Sequence, residues 1–124
     1  MQEAKKKILI VDDDPGTTTT FKLGLESNGF QVDAFTDPKE TLKNFKSNHY
    51  DLSLIDIRMP SMNGFELFQE LNKLDNSLRV CFITSFKTYY QSLVEEYPGM
   101  DQKCYIQKPI SIKDLVNHIK SIKF

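Results

Sequence analysis

Five short apolar runs divide the chain, at residues 8–11 (ILIV), 30–35, 52–57 (LSLIDI), 78–84 (LRVCFIT) and 104–107. Their length and composition predict strands, and the near-continuous apolarity of residues 52–57 predicts a strand buried on both faces. Between these runs, apolar residues recur at helical spacing: Phe21 with Leu25, Leu42 with Phe45, Phe65 with Leu67, Phe68 and Leu71, and Leu115 with Ile119 and Ile122. Each predicted helix has a start signal. Asp14-Pro15 reads as N-cap and first helical residue of a helix running to about residue 28, where Asn28-Gly29 stops it. Thr36-Asp37-Pro38, with Glu40 as the far half of a capping box, opens a second. Gly64 opens a third over 64–74. A fourth, over about 87–96, has the weakest pattern and is ended by Pro98-Gly99. Ser111 caps the last, with Asp114 at its third position. Thr17 to Thr20 are poor helix formers and predict a weakly stable first turn.

Strands and helices alternate five times, which predicts a parallel sheet with helices on both faces. Right-handed crossovers then bring every strand's carboxyl end to one edge, where such sheets bind ligands. The 124 residues suit a single domain. A net charge of −1 argues against a large nucleic-acid footprint. No run is long enough to span a membrane. The start, MQEAKKKILIVDDD, places lysines before apolar residues as a signal peptide does, but its apolar run is short and ends in aspartates. A cytoplasmic location is the resulting expectation. Cys81 and Cys104 lack metal-ligand spacing, and Cys81 reads as a buried free thiol in a reducing compartment.

The chemistry gathers at the shared strand edge. The first strand delivers Asp12 and Asp13, the third Asp56, the fourth Thr84 and the fifth Lys108. Taken alone, Asp56 is a strand-end carboxylate before a loop. Three carboxylates in one place repel one another, and one would hold a proton near neutrality unless a cation were present. The donors are all oxygen, which favours a hard divalent cation, Mg²⁺ over Zn²⁺. Mg²⁺ binds through one or two carboxylates and phosphate oxygens, so the cluster suits a phosphoryl group. Asp56 is then a candidate nucleophile, Lys108 a mobile point charge and Thr84 a donor.

The chain resembles the response-regulator receiver domains of two-component signalling over essentially its whole length. The resemblance rests on VDDDP at 11–15, LIDIRMPSMNG at 54–64, IT at 83–84 and YIQKP at 105–109. It implies a flavodoxin-like (βα)5 sandwich with strand order 2-1-3-4-5 and a single receiver domain over 1–124. It also implies that Asp56 is the phosphoacceptor, charged by a partner histidine kinase or phosphotransfer protein. Mg²⁺ (or Mn²⁺) would be held by Asp13, Asp56 and the backbone carbonyl of Arg58, with Asp12 acting directly or through a water. Thr84 and Tyr105 would form the switch pair, and Lys108-Pro109 a cis peptide. Phosphorylation would remodel the face of the fourth helix, fifth strand and fifth helix, to control a partner or output domain. That face could also support a homodimer. The resemblance implies no direct nucleic-acid binding and no membrane contact.

Some positions depart from that pattern. Arg58 and Phe86 are expected to set the lifetime of the phosphoryl group, Phe86 by shielding it from water. Residues 94–103 (VEEYPGMDQK) replace a small-residue turn, and of the nearby Tyr89 and Tyr90 one is expected on the partner-facing side and the other in the core. Two other functions stay open. A small Mg²⁺-dependent phosphohydrolase would need an acid–base two residues beyond Asp56, where Arg58 cannot shuttle protons. A phosphate-independent interaction module would have no need of the intact Asp12, Asp13, Asp56, Thr84 and Lys108. An enzyme acting on an external substrate is therefore not expected. No effector domain follows Phe124, so the chain reads as stand-alone or as the first part of a longer protein.

Overall fold

The computed structural model describes residues 5–85, 95–97, 99 and 103–122. Its centre is a five-stranded sheet of β1 (Lys7–Val11), β2 (Gln31–Phe35), β3 (Leu52–Asp56), β4 (Val80–Thr84) and β5 (Cys104–Gln107). All neighbours are parallel and the order is β2-β1-β3-β4-β5. Four described helices cover it: α1 (Pro15–Glu26), α2 (Pro38–Asn44), α3 (Gly64–Leu74) and α4 (Ile112–Lys120). The helix expected over 87–96 falls almost wholly outside the described residues, as do Phe86, Tyr89 and Tyr90. Glu95 and Glu96 are helical. No helix among the described residues is long and apolar enough to cross a membrane.

The two-residue alternation of the strands builds two cores. Leu9, Val11, Ile55 and Phe82 face α3, whose Phe65, Leu67, Phe68 and Leu71 are all buried against them. Ile8, Ile10, Leu54, Cys81, Ile83 and Ile106 face Phe21 and Leu25 of α1 and Leu115, Val116 and Ile119 of α4. From β1 the chain winds outward to β2 over one face, then returns to β3 over the other. The sheet therefore splits between β1 and β3, and the crevice at that switch point opens on their carboxyl ends.

The caps explain where the helices begin. Asp14 accepts from the Gly16 N–H at 3.1 Å and the Thr17 hydroxyl at 2.7 Å. Asp37 accepts from Lys39 N–H at 3.1 Å. The reciprocal capping box forms at α3, where Asn63 and Glu66 each take the other's backbone N–H. α1 ends earlier than the apolar pattern suggests, at Glu26, and Gly29 turns the chain at φ +93°. α2 stops at Asn44. Phe45 lies beyond it in extended backbone, its ring 5.7 Å from that of Tyr50, so it packs from a loop and not from the helix.

Two expectations are corrected. Cys81 is not a free thiol. It is the register partner of Cys104 across β4 and β5, with Cα atoms 4.4 Å apart, and the two form a disulfide. Strand register decides this pairing, and the 23-residue separation in sequence conceals it. The threonine-rich first turn of α1 is also more than a weak start. Thr18 is buried, and its hydroxyl lies 2.9 Å from the Asp12 carbonyl and 2.8 Å from that of Asp14. It ties the acidic loop to the helix that follows.

Candidate functional site

Val11 and Ile55 are register partners, so β1 and β3 end side by side and release Asp12 and Asp56 into the same crevice. Asp12 is fully buried and Asp56 nearly so, whereas Asp13 is exposed. One carboxylate oxygen from each of the three lies within 4.8 Å of the others. Lys108 enters from β5. Its backbone N–H donates to the Thr84 carbonyl at 2.8 Å, and the Lys108–Pro109 peptide is cis. Its ammonium lies 2.6 Å from Asp12 Oδ2 and 3.6 Å from Asp56 Oδ2, joining the two buried acids. The remaining oxygens are held by backbone: Asp12 Oδ1 accepts from Asp14 N–H at 3.0 Å, and Asp56 Oδ1 from Arg58 N–H at 3.3 Å.

The electrostatics follow from this crowding. Burial, then the charge of Asp12, pushes the Asp56 carboxyl up to about 7, against the opposing pull of Lys108. Burial disfavours the Lys108 charge, but the hydrogen bond to Asp12 and the Asp56 carboxylate outweigh it, and its proton is held more tightly than usual. Asp14, at the rim, is shifted down by the Thr17 hydroxyl and the Gly16 N–H. Three carboxylates thus face one ammonium, in an all-oxygen donor set. That arrangement fits a hard divalent cation, which would relieve the repulsion among the carboxylates.

A crevice of about 500 Å³ opens over these groups, walled by the acids and Lys108 together with Arg58, Met59, Pro60 and Ser85. Thr84 ends β4 at the same edge, half-exposed. Tyr105 sits one strand over and half-buried, its ring centroid 5.6 Å from that of Phe82 and 6.4 Å from that of Phe65. The structure thus brings Asp12, Asp13, Asp56 and Lys108 into one cluster, with Thr84 at the same strand edge. Tyr105 stands two residues back along β5 from Gln107, the register partner of Thr84.

Three further residues shape the site. Ser85 walls the crevice, one residue beyond Thr84. Thr18 braces the Asp12 loop from α1. Replacing it with Val should cost about 1–2 kcal/mol by urea denaturation, because the buried Asp12 carbonyl loses this donor and the Asp14 carbonyl keeps only the Thr18 N–H, while the shape is kept. Gly64 starts α3 hard against β3: its N–H donates to the Ile57 carbonyl at 2.7 Å, and a Cβ there would overlap the Asp56 carbonyl oxygen. Its closeness to the site has only one signal in the sequence, a glycine at a helix start.

The cluster at the carboxyl ends of a 2-1-3-4-5 sheet is matched by comparison with known proteins. The profile of the response regulator receiver domain family matches residues 8–120, and the chain belongs to that family. It is 31% identical over 121 residues to the transcriptional regulatory protein RprY of Bacteroides fragilis, covering 97% of this chain and 50% of that one. It is 38% identical over 118 residues to the sensor protein EvgS of Escherichia coli, covering 95% of this chain and 10% of that one. The chain spans about half the length, or less, of the curated relatives it matches. Among solved structures, a CheY-like receiver domain from Methanospirillum hungatei superposes with a TM-score of 0.77 at 31% identity, covering 94% of this chain and 92% of that one. The response regulator TrrA of Thermotoga maritima, in complex with Mg²⁺ and BeF, gives 0.75 at 30% identity, covering 93% and 96%. The fold is thus the flavodoxin-like sandwich, and the chain is a receiver domain of two-component signalling, a signalling family that is generally Mg²⁺-dependent.

Proposed function

We propose that this receiver domain is a phosphorylation-dependent switch, with Asp56 accepting a phosphoryl group from a phosphohistidine on a partner kinase or phosphotransfer protein. The observation that carries this reading is the Lys108 ammonium set between two buried carboxylates, 2.6 Å from Asp12 and 3.6 Å from Asp56, at the mouth of a crevice. An Asp56 oxygen attacks phosphorus, the P–N bond breaks, and the imidazole leaves carrying a proton. Asp13, Asp56 and the Arg58 carbonyl are the residues that would hold Mg²⁺, with Asp12 beside them, and the ion would neutralise charge building on the transferring group. That TrrA, 30% identical to this chain, is in complex with Mg²⁺ and BeF supports the choice of ion.

Before transfer, Lys108 is engaged by Asp12. Afterwards its looser contact with the Asp56 carboxylate gives way to one with a phosphoryl oxygen of the acyl phosphate, and Thr84 donates to another oxygen. Shifting a two-state equilibrium from 1:99 to 99:1 takes about 5.5 kcal/mol. A charge-assisted hydrogen bond supplies about 1.5–3 kcal/mol, so Thr84 and Lys108 together approach the requirement without much excess. Movement of Thr84 toward the phosphoryl group frees space for Tyr105, which is packed edge-on against Phe65 and tilted on Phe82. The surface built by β5 and α4 then changes, and a target or a second copy reads that change. A cytoplasmic setting suits such a partner.

Incubation with Mg²⁺ and a small acyl phosphate tests the reading. A switch accumulates a slowly decaying stoichiometric adduct, a phosphohydrolase releases phosphate with turnover, and an inert interaction module does neither. Phe86→Ala should shorten the life of the adduct, followed as loss of label from the purified phosphoprotein. Lys108→Met should lower the stability of the metal-free protein by about 2 kcal/mol, because the buried Asp12 charge loses its partner. Added Mg²⁺ should return most of that loss, as read by urea titration with and without the ion.

A further inference from the structure

Cys81 lies near the amino end of β4 and Cys104 starts β5, so their cluster stands at the opposite end of the sheet from the acids, under α4. Neither cysteine has a part in phosphoryl chemistry. Three observations set them apart from a purely structural staple. His118 of α4 places Nε2 3.3 Å from Cys104 Sγ. The two sulfurs differ in access: Cys81 is fully buried and Cys104 half-buried. A cavity of about 280 Å³ opens on both cysteines, with the exposed Arg79 and Lys103 in its wall beside Leu52 and Ile122; the Lys103 ammonium lies over the Phe68 ring, 5.4 Å from its centroid.

We propose that Cys81, Cys104 and His118 form a reversible thiol–disulfide site that exchanges with an anionic low-molecular-weight disulfide of the glutathione class. The Arg79 charge in the cavity wall suits a carboxylate on the incoming molecule. In the reduced protein His118 takes the Cys104 proton, and the thiolate attacks one sulfur of the external disulfide. The S–S bond of that disulfide breaks, and its other half leaves as a thiolate and receives the proton from His118. Cys81 then attacks Cys104 Sγ in the mixed disulfide, its own proton going to the second departing thiol. The protein loses two hydrogens, and one external disulfide becomes two thiols. The half-buried Cys104 is the entry point and the enclosed Cys81 the resolving residue.

Oxidation ties β4 to β5 one residue before Phe82 and Tyr105, whose rings pack together. The chemistry itself stands without the phosphoryl reading.

A free thiol is only a few per cent ionised near neutrality, and a lower-pKa thiolate is a weaker nucleophile. The gain from the neighbouring imidazole is therefore about three- to tenfold in rate. The test takes the full chain, reduced and freed of reductant, and adds oxidised glutathione near neutral pH. Alkylation and intact mass follow the products. The wild type should pass through a single glutathione adduct to the internal disulfide, and excess reduced glutathione should reverse it. Cys81→Ala should stop at a stable adduct on Cys104, and Cys104→Ala should form none. His118→Gln should reach the same end state about three- to tenfold more slowly. The proposal is overturned if the folded wild type does not exchange while the urea-unfolded chain does, if Cys104→Ala reacts at the wild-type rate, or if His118→Gln leaves the rate unchanged.

Discussion

Asp56→Asn should make the metal-free protein more stable near pH 8 while abolishing phosphoryl uptake. In the fold, burial and the adjacent Asp12 push the Asp56 carboxyl up from 3.8 to about 7. The folded state therefore prefers the protonated form, and the unfolded chain does not. A group shifted in this direction favours folding below its unfolded pKa, and that contribution is lost as pH rises through the folded value. Between about pH 4 and pH 7 the wild type, in chelator, should lose stability relative to Asp56→Asn. Each tenfold preference for the proton is worth about 1.4 kcal/mol. The full interval sets a ceiling of about 4 kcal/mol, and relaxation around Lys108 reduces the expected difference to about 2 kcal/mol. Urea titrations of both proteins across this range measure it. The two curves should converge near pH 4, and Mg²⁺ should remove the wild-type deficit near pH 8. Parallel curves at every pH would mean that Asp56 does not carry the electrostatic cost assigned to it.

Gly64→Ala should be the most damaging single methyl group that can be added at the site. The new Cβ would overlap the Asp56 carbonyl oxygen and sit 2.9 Å from the Ile57 Cα, both backbone atoms with no rotamer to relieve the contact. Either α3 withdraws or β3 shifts at its carboxyl end. Overpacking of this kind costs about 1–3 kcal/mol, and a backbone-on-backbone clash belongs at the top of that range. Phosphoryl uptake should fall as well, because Asp56 moves relative to Asp13 and Lys108. Thermal unfolding and the rate of adduct formation measure the two effects separately. Gly16→Ala is the control: a Cβ there meets only Asp14 Oδ1 at 3.5 Å, and it should change neither by much.

The α3 stripe shows what the sequence makes legible. Phe65, Leu67, Phe68 and Leu71 follow helical periodicity, and all four are buried. The strand-end residues were equally readable, because a parallel sheet sends every carboxyl end to one edge whatever the register. Asp12, Asp56 and Lys108 could be placed together without a single tertiary contact being known. Features that depend on register or close approach were not readable. The Cys81–Cys104 pair requires β4 and β5 to align at those two residues, and the buried Thr18 looks like any threonine in a poor helical turn. Phe45 matched the helical spacing of Leu42, yet α2 ends one residue before it, because the stripe records apolarity and not where the backbone turns.

Asp56 as the phosphoacceptor of a Mg²⁺-dependent site is open to a direct test. The measurement that tests it most directly is intact mass followed by peptide mapping, after incubation with a small acyl phosphate, with Mg²⁺ or with chelator. One added phosphoryl group per chain is expected, located at Asp56, formed with Mg²⁺ and lost in Asp56→Asn. An adduct that persists in Asp56→Asn, or that forms equally well in chelator, would contradict it.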